Sequence, residues 1–267
     1  MRARTSVLAT PVLATPVLAT LALLLAALAL PASAEVRVAT SGAFTAAYHA
    51  LKPDVERALG EPLVTVTTSV GAGEESIPRR LERGEAIDVV IVADTMLEQL
   101  IAAGLVLADS RVDLVRSTIA IAVRTGAPKP DISTVAALRE TLLAAKSIAY
   151  SGSVSGTYVS TELFQKLGIA EQVAAKSRKI DRERVGAVVA RGDAEIGFQQ
   201  LSELQPIAGI EVVGPLPAEV QKISVFSAGV IASSPNAQAA RRLLKALSSP
   251  DAAPAIALTG LEPLHAR

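Results

Sequence analysis

The chain has no cysteine and no tryptophan, two histidines, three tyrosines and four phenylalanines. Without cysteine there is no disulfide, no thiolate nucleophile and no thiolate-bound metal. Stability must come from the core alone. The histidines, His49 and His265, lie 216 residues apart, one in a predicted helix and one near the C-terminus. That spacing argues against a histidine zinc site or a Ser-His-Asp triad. His49 reads as a surface helix residue. Neither a metal nor a cofactor is expected. Basic and acidic residues balance at 26 each, and no basic block exists. With few aromatics to stack bases, a nucleic-acid partner is excluded.

The first 34 residues do not read as part of the fold. Arg2 and Arg4 form a basic start, Leu21 to Leu30 is apolar, and Ala32-Ser33-Ala34 is an A-x-A cleavage signal. The alternative is a retained membrane anchor, but a spanning helix needs about 20 apolar residues. We expect export to the periplasm with cleavage after Ala34. The absence of a lipobox cysteine argues against a lipid anchor. Removing Arg2 and Arg4 leaves 24 basic against 26 acidic residues, a net charge of −2, on a chain running from Glu35 to Arg267. No later segment is long and apolar enough to span a membrane.

From Val36 onward, strand and helix signals alternate. Short apolar strands are predicted at Val36 to Ala39, Leu63 to Thr68 and Ile87 to Val92. Helical spacing covers Phe44 to Leu59, Ile77 to Arg83 and Thr95 to Ala103, with Gly60, Gly84 and Gly104 after their ends and Thr95 as a cap. Three βα units in a row imply a parallel sheet covered by helices. A second α/β block follows. It has strands at Thr118 to Val123, Lys146 to Tyr150, Ala194 to Phe198 and Ile210 to Val213. Its helices run from a Ser133 cap to Ala145, from Gly156 to Leu167, and from Arg184 to Ala190. Ile223 to Ile231 is a strand, and Pro235 to Leu247 an amphipathic helix. The predicted class is α/β, with residues 35–116 plus 229–267 in one lobe and 117–228 in the other. Two crossing strands would make the hinge, near Val115 to Val123 and Lys222 to Gly229.

The run Arg79 to Asp94, RRLERGEAIDVVIVAD, followed by MLEQLIAAGLV, resembles the ABC-transporter substrate-binding proteins of the molybdate-binding type. The likeness continues through Ser155-Gly156-Thr157-Tyr158, Leu167-Gly168, Arg191 to Gly197 and Ser249-Pro250. Each motif is weak alone; their order and spacing together are specific. The resemblance implies a type II periplasmic binding protein: two lobes, a two-strand hinge, and a small anion held in the cleft between them. It also implies a permease partner in the inner membrane. We expect a monomer.

Physical chemistry supports a cleft site independently. Ligands of open α/β sheets sit beyond the carboxyl ends of strands, where helix N-termini present free N–H groups to an anion. Two loops fit: Thr40-Ser41-Gly42-Ala43 and Ser153-Val154-Ser155-Gly156-Thr157. Read singly, either is an ordinary N-cap.

The resemblance also shows departures. The family's first serine position falls at Ala43, and the second in Gly71 to Ser76, where a glutamate stands. The family's tyrosine falls at Gln200, preceded by Gln199, and a further ligand-facing position at Arg182. A carboxylate repels a dianion in a partly dry cleft, whereas arginine grips carboxylates with a two-donor fork. These changes argue against molybdate and for a larger carboxylate anion. The expected ligand set is Thr40, Ser41, Gly42, Ala43, Glu74, Ser76, Ser155, Gly156, Thr157, Arg182, Gln199 and Gln200. Arg182 also reads as part of an exposed charge run.

Two functions fit this sequence. One is solute capture for an ABC importer. The other is an enzyme on the same scaffold, since some relatives of this fold type resemble aconitate isomerases. An allylic proton shift needs a carboxylate-binding cation and a base. Arg182 would be the first, and Glu74, or its neighbour Glu75, the second. The plainer reading of these glutamates is favourable placement at a helix N-terminus, next to the helix dipole.

Overall fold

A computed structural model describes residues 35–68 and 73–264. The proposed signal segment, the loop start at Gly71-Ala72 and His265 lie outside the described residues.

β1 (Val36–Thr40), β2 (Leu63–Val66) and β3 (Val89–Ala93) are parallel, with β1 in the middle. They alternate with α1 (Gly42–Leu59), α2 (Ile77–Glu82) and α3 (Asp94–Ala102). β3 shows why this sheet has helices on both faces. Val89, Ile91 and Ala93 face the core shared with α1, while Val90 and Val92 face Leu97 and Leu100 of α3. A strand buried on both sides is continuously apolar, and VVIVA is. α1 ends where Gly60 turns left-handed, at φ 67°, its N–H donating to the Glu56 carbonyl.

β4 (Val112–Ser117) completes the first half and β5 (Ile119–Arg124) opens the second. After β5 come α4 (Val135–Ala144), β6 (Ile148–Ser151) and α5 (Val154–Tyr158), which passes through a π-type turn at Val159–Leu163 into α6 (Phe164–Lys166). Next are α7 (Ala170–Ala174), β7 (Ser177–Ile180), α8 (Val185–Arg191), β8 (Ile196–Gln200), α9 (Leu201–Leu204) and β9 (Ile210–Pro215). The chain then returns through β10 (Ser224–Val230), α10 (Ala237–Leu247), α11 (Ala253–Ala257) and β11 (Glu262–Pro263).

Two sheets result. One has the order β11-β4-β10-β3-β1-β2 and the other β7-β6-β8-β5-β9. The chain passes between them twice, at Ser117 to Ile119 and between Pro215 and Ser224. Both belong to one compact unit, Ala34–Arg267. The amphipathic α10 buries Ala239, Ala240, Leu243, Leu244 and Leu247 against the first sheet's core. Its outer face holds Arg241, 2.9 Å from Asp109.

The second sheet contains one detail that builds the site. β5 alternates isoleucine and alanine: Ile119 and Ile121 enter the main core, while Ala120 and Ala122 face Leu204 of α9. The small face gives α9 a close seat on the strand.

Several local expectations need correction. Helix α3 starts at Asp94, whose Oδ1 accepts the Thr95 N–H at 2.7 Å, so Thr95 is inside the helix and not its cap. Helix α4 is capped by Thr134, not Ser133; the Thr134 hydroxyl accepts the Ala137 N–H at 3.1 Å. β7 overlaps the charge run Arg178 to Arg184 read as solvated surface, and α9 lies where no helix was predicted. Among the described residues, no helix is long and apolar enough to cross a membrane.

Candidate functional site

A cleft of about 610 Å³ lies between the two sheets. It opens past the carboxyl ends of β1, β3 and β6, and the short α9 closes one side. This is where ligands of open α/β sheets bind.

Ser41 caps α1 at the cleft. Its hydroxyl is buried and has no hydrogen-bond partner among the described residues. A buried orphan hydroxyl costs about 1–3 kcal/mol unless something else satisfies it. The first N–H groups of the 18-residue α1 follow at Gly42 and Ala43, both lining the cleft. The free donors and the positive end of the helix dipole favour an anion there. On the opposite wall are Ser153 and Thr157. Ser151 Oγ lies 2.7 Å from Ser153 Oγ and 3.0 Å from Ser155 Oγ, a small hydroxyl cluster beneath that wall. Gly156 is required for this packing, because a Cβ there would collide with the Ser151 backbone carbonyl. Val92, Ala93, Met96 and Phe226 make part of the lining apolar.

The distinctive group is Glu203. It is 4% exposed, yet it lines the cleft. Gln199 donates from Nε2 to Glu203 Oε1 at 2.9 Å, and the Gln199 Oε1 accepts the Val185 N–H at 2.9 Å. A Cβ at position 42 would strike Glu203 Oε1, so Gly42 makes room for the carboxylate across the interface between sheets. Beside it, the Ser202 hydroxyl donates to the Ala43 carbonyl at 2.8 Å. Burial pushes the Glu203 carboxyl up to about 7; the charge of Arg184, the Gln199 amide and the Gln200 backbone N–H pull it back down. A carboxyl near neutrality can both take and return a proton.

The residues expected at the site divide into groups. Ser41, Gly42, Ala43, Ser76 and Thr157 line the cleft. Thr40 is buried just behind, its carbonyl accepting the Thr68 hydroxyl at 2.9 Å. Ser155 and Gly156 are buried in the supporting turn. Gln199 holds Glu203.

Three expected residues lie outside the cleft lining. Gln200 is 1% exposed, but its amide serves the crossings: Oε1 accepts the Ser117 hydroxyl at 2.8 Å and Nε2 donates to Ser224 Oγ at 3.1 Å. Arg182 is exposed, and the cation that acts on Glu203 is Arg184. Glu74 does not line the cleft. Its side chain is 85% exposed and 3.7 Å from Arg83, within a lattice that also pairs Arg80 with Glu75 and Glu85. The acidic residues there neutralise the arginines of the RRLERGE motif. Glu203 was missed because LSEL is too short to show a helical period. A glutamate just after a buried strand, in FQQLSELQ, was the available signal.

Among the described residues, no group of three or more His, Cys, Asp or Glu side chains could hold a metal ion.

Residues 36–262 match the family model described as bacterial extracellular solute-binding protein. The chain belongs to that family. It is 46% identical over 231 residues to an aconitate isomerase of a Pseudomonas species, covering 86% of this chain and 88% of that protein. It superposes on the periplasmic molybdate-binding protein of Azotobacter vinelandii with a TM-score of 0.67 at 20% identity, over 87% of this chain and 100% of that one. A tungstate-binding protein of Desulfovibrio alaskensis gives 0.59 at 15% identity, over 87% and 99%. These structures share the fold of solute-binding family members. As implied by the sequence, that fold is the two-lobed type II periplasmic binding protein.

Proposed function

We propose that this chain is an isomerase that interconverts cis- and trans-aconitate by an allylic proton shift, with Glu203 as its acid–base group. The observation that carries this reading is a buried carboxyl facing an anion-receptive cleft and held near neutral pKa. Ionised, that carboxylate repels an anionic ligand, a cost that a role in proton transfer offsets. Identity of 46% to an aconitate isomerase supports the same substrate.

In the proposed reaction, ionised Glu203 removes one proton from the substrate methylene. The electron pair delocalises over the allylic carbons and into a flanking carboxylate. Protonated Glu203 then returns the proton to the other end of the allyl unit, so the double bond moves and composition is unchanged. The α1 N-terminus and the Ser41 hydroxyl hold substrate carboxylates, and the Gln199 amide fixes the Glu203 carboxylate in place. No cofactor is required.

The test is direct. Purified protein incubated with cis-aconitate should form trans-aconitate, and in D2O both isomers should acquire deuterium on carbon. Absence of conversion would remove this reading.

Family membership favours a second reading: capture of a small carboxylate for an ABC importer, by an exported periplasmic monomer that docks on an inner-membrane permease. It expects tight binding of a carboxylate with no turnover.

A further inference from the structure

We infer that Arg184 is a substrate-binding residue, whose guanidinium takes one carboxylate of the substrate at the edge of the cleft beside Glu203. The inference rests on the isomerase reading for its substrate, and on the following geometry for its site.

Arg184 is half-buried, and its side chain has no hydrogen bond or ion pair among the described residues. The other half-buried arginines are all engaged. Arg37 pairs with Glu35, Arg80 with Glu75 and Glu85, Arg111 with Glu98, and Arg139 with Glu140. An arginine partly withdrawn from water is normally engaged by a carboxylate. Among the described residues, no carboxylate lies within ion-pairing distance of Arg184, and Glu203 is the one its charge reaches.

Its position is tied to the cleft from two sides. It caps the start of α8, and the next N–H, that of Val185, is bonded to the same Gln199 amide that holds Glu203. Three residues earlier, Asp181 packs against Gly152, which lines the cleft. The segment from Asp181 to Val185 therefore lies directly behind the cleft lining, against Gly152 at one end and joined through Gln199 to Glu203 at the other.

The surrounding charges do not supply a partner. Around α9, Arg191 of α8 pairs with Glu183 of the preceding link at 2.7 Å, and Glu211 of β9 with Lys129 at 3.1 Å. Arg124 of β5 is exposed, and α1 contributes His49, exposed, and Lys52, paired with Glu56. Across the cleft, Arg79 is held by Glu82 at 2.8 Å. Arg184 is the charge whose field reaches Glu203. A fork that binds a carboxylate beside the base would position the substrate and also select for polycarboxylates.

The test uses tricarballylate, the saturated and unreactive tricarboxylate, titrated calorimetrically into the purified protein. R184Q should weaken its binding about 10- to 100-fold, the loss expected for a charge-assisted pair. R184K should recover part of that loss, and R182Q should leave affinity unchanged. The pH profile reads the charge of Arg184 separately from its grip on the substrate. Removing its charge from beside Glu203 should shift the acid limb of kcat/KM for cis-aconitate to higher pH. If R184Q binds tricarballylate as wild type does, or R182Q loses as much, the inference is overturned; so it is if the wild type binds no tricarballylate. If the wild type binds tricarballylate through Arg184 but converts no aconitate, the isomerase reading fails and the binding role stands.

Discussion

Glu74 and Glu203 are the same residue in opposite surroundings. Glu74 stands on the loop before α2, its side chain 85% exposed and loosely paired with Arg83. Glu203 stands on a four-residue helix, 4% exposed, with no ion pair among the described residues. Around Glu74, the basic residues outnumber what one carboxylate needs, and water screens them all. Around Glu203, one arginine charge, the Gln199 amide and the Gln200 backbone N–H must do the work that water does elsewhere. The difference separates a charge that helps the fold from a charge that costs the fold something, and the second kind is a candidate for chemistry.

The largest expected effect follows from that contrast. Glu203→Gln keeps the acceptor for the Gln199 amide but cannot take a proton. We expect kcat for aconitate isomerisation to fall about 10²- to 10⁴-fold, with tricarballylate binding retained in a titration. Equal loss of binding and turnover would mean that Glu203 shapes the cleft and does not act on the proton.

The same burial sets a pH dependence of stability. The folded pKa of Glu203 is raised from 4.5 to about 7. Its favourable contribution is therefore complete below pH about 4.5, and is lost as pH rises through about 7. The swing is about 3 kcal/mol. Glu203→Gln should erase this component, so the variant should gain on wild type in urea unfolding as pH goes from 5 to 8. Parallel curves for the two proteins would show that Glu203 is better solvated than its position implies.

A smaller effect belongs to Gln200, which bridges Ser117 and Ser224 at the two crossings. Gln200→Ala leaves two buried hydroxyls without that amide, at a cost of about 1–3 kcal/mol of stability. Thermal unfolding should show the loss, with kcat/KM changed less than by Glu203→Gln. If turnover collapses while stability holds, Gln200 is part of the site after all.

Much of this architecture was legible in the sequence, because apolar period and glycine stops are local signals. β3 and α1 follow directly from VVIVA and from the run ending at Gly60. The loops at Ser41 to Ala43 and at Ser153 to Thr157 were legible for the same reason, as hydroxyls set before helices. β7 was not, because SRKI is half polar and sits at a sheet edge inside a charge run. Glu203 was not, because what buries it is distant: Ser202 reaches the Ala43 carbonyl across 159 positions, and Gly42 supplies the space. A reading limited to neighbours in sequence sees a glutamate in LSEL and a glycine in SGAF, and cannot see that they meet.

The smallest expected effect completes the comparison. Glu74→Gln combined with Glu75→Gln removes two carboxylates that face Arg83 and Arg80. Exposed ion pairs are worth about 0–1 kcal/mol each, because water and salt already screen them. The arginines do not become orphans: Glu85 remains against both, with its carboxylate held below the usual range by its hydrogen bonds to Arg83 and Arg80. Thermal stability should therefore fall slightly, and less at high salt, while kcat for aconitate stays within about twofold of wild type. A hundredfold loss of turnover with an intact fold would reverse the comparison. It would mean that the loop at Glu74 folds over the cleft during the reaction, and that exposure in the resting structure is no guide to which carboxylate reaches the substrate.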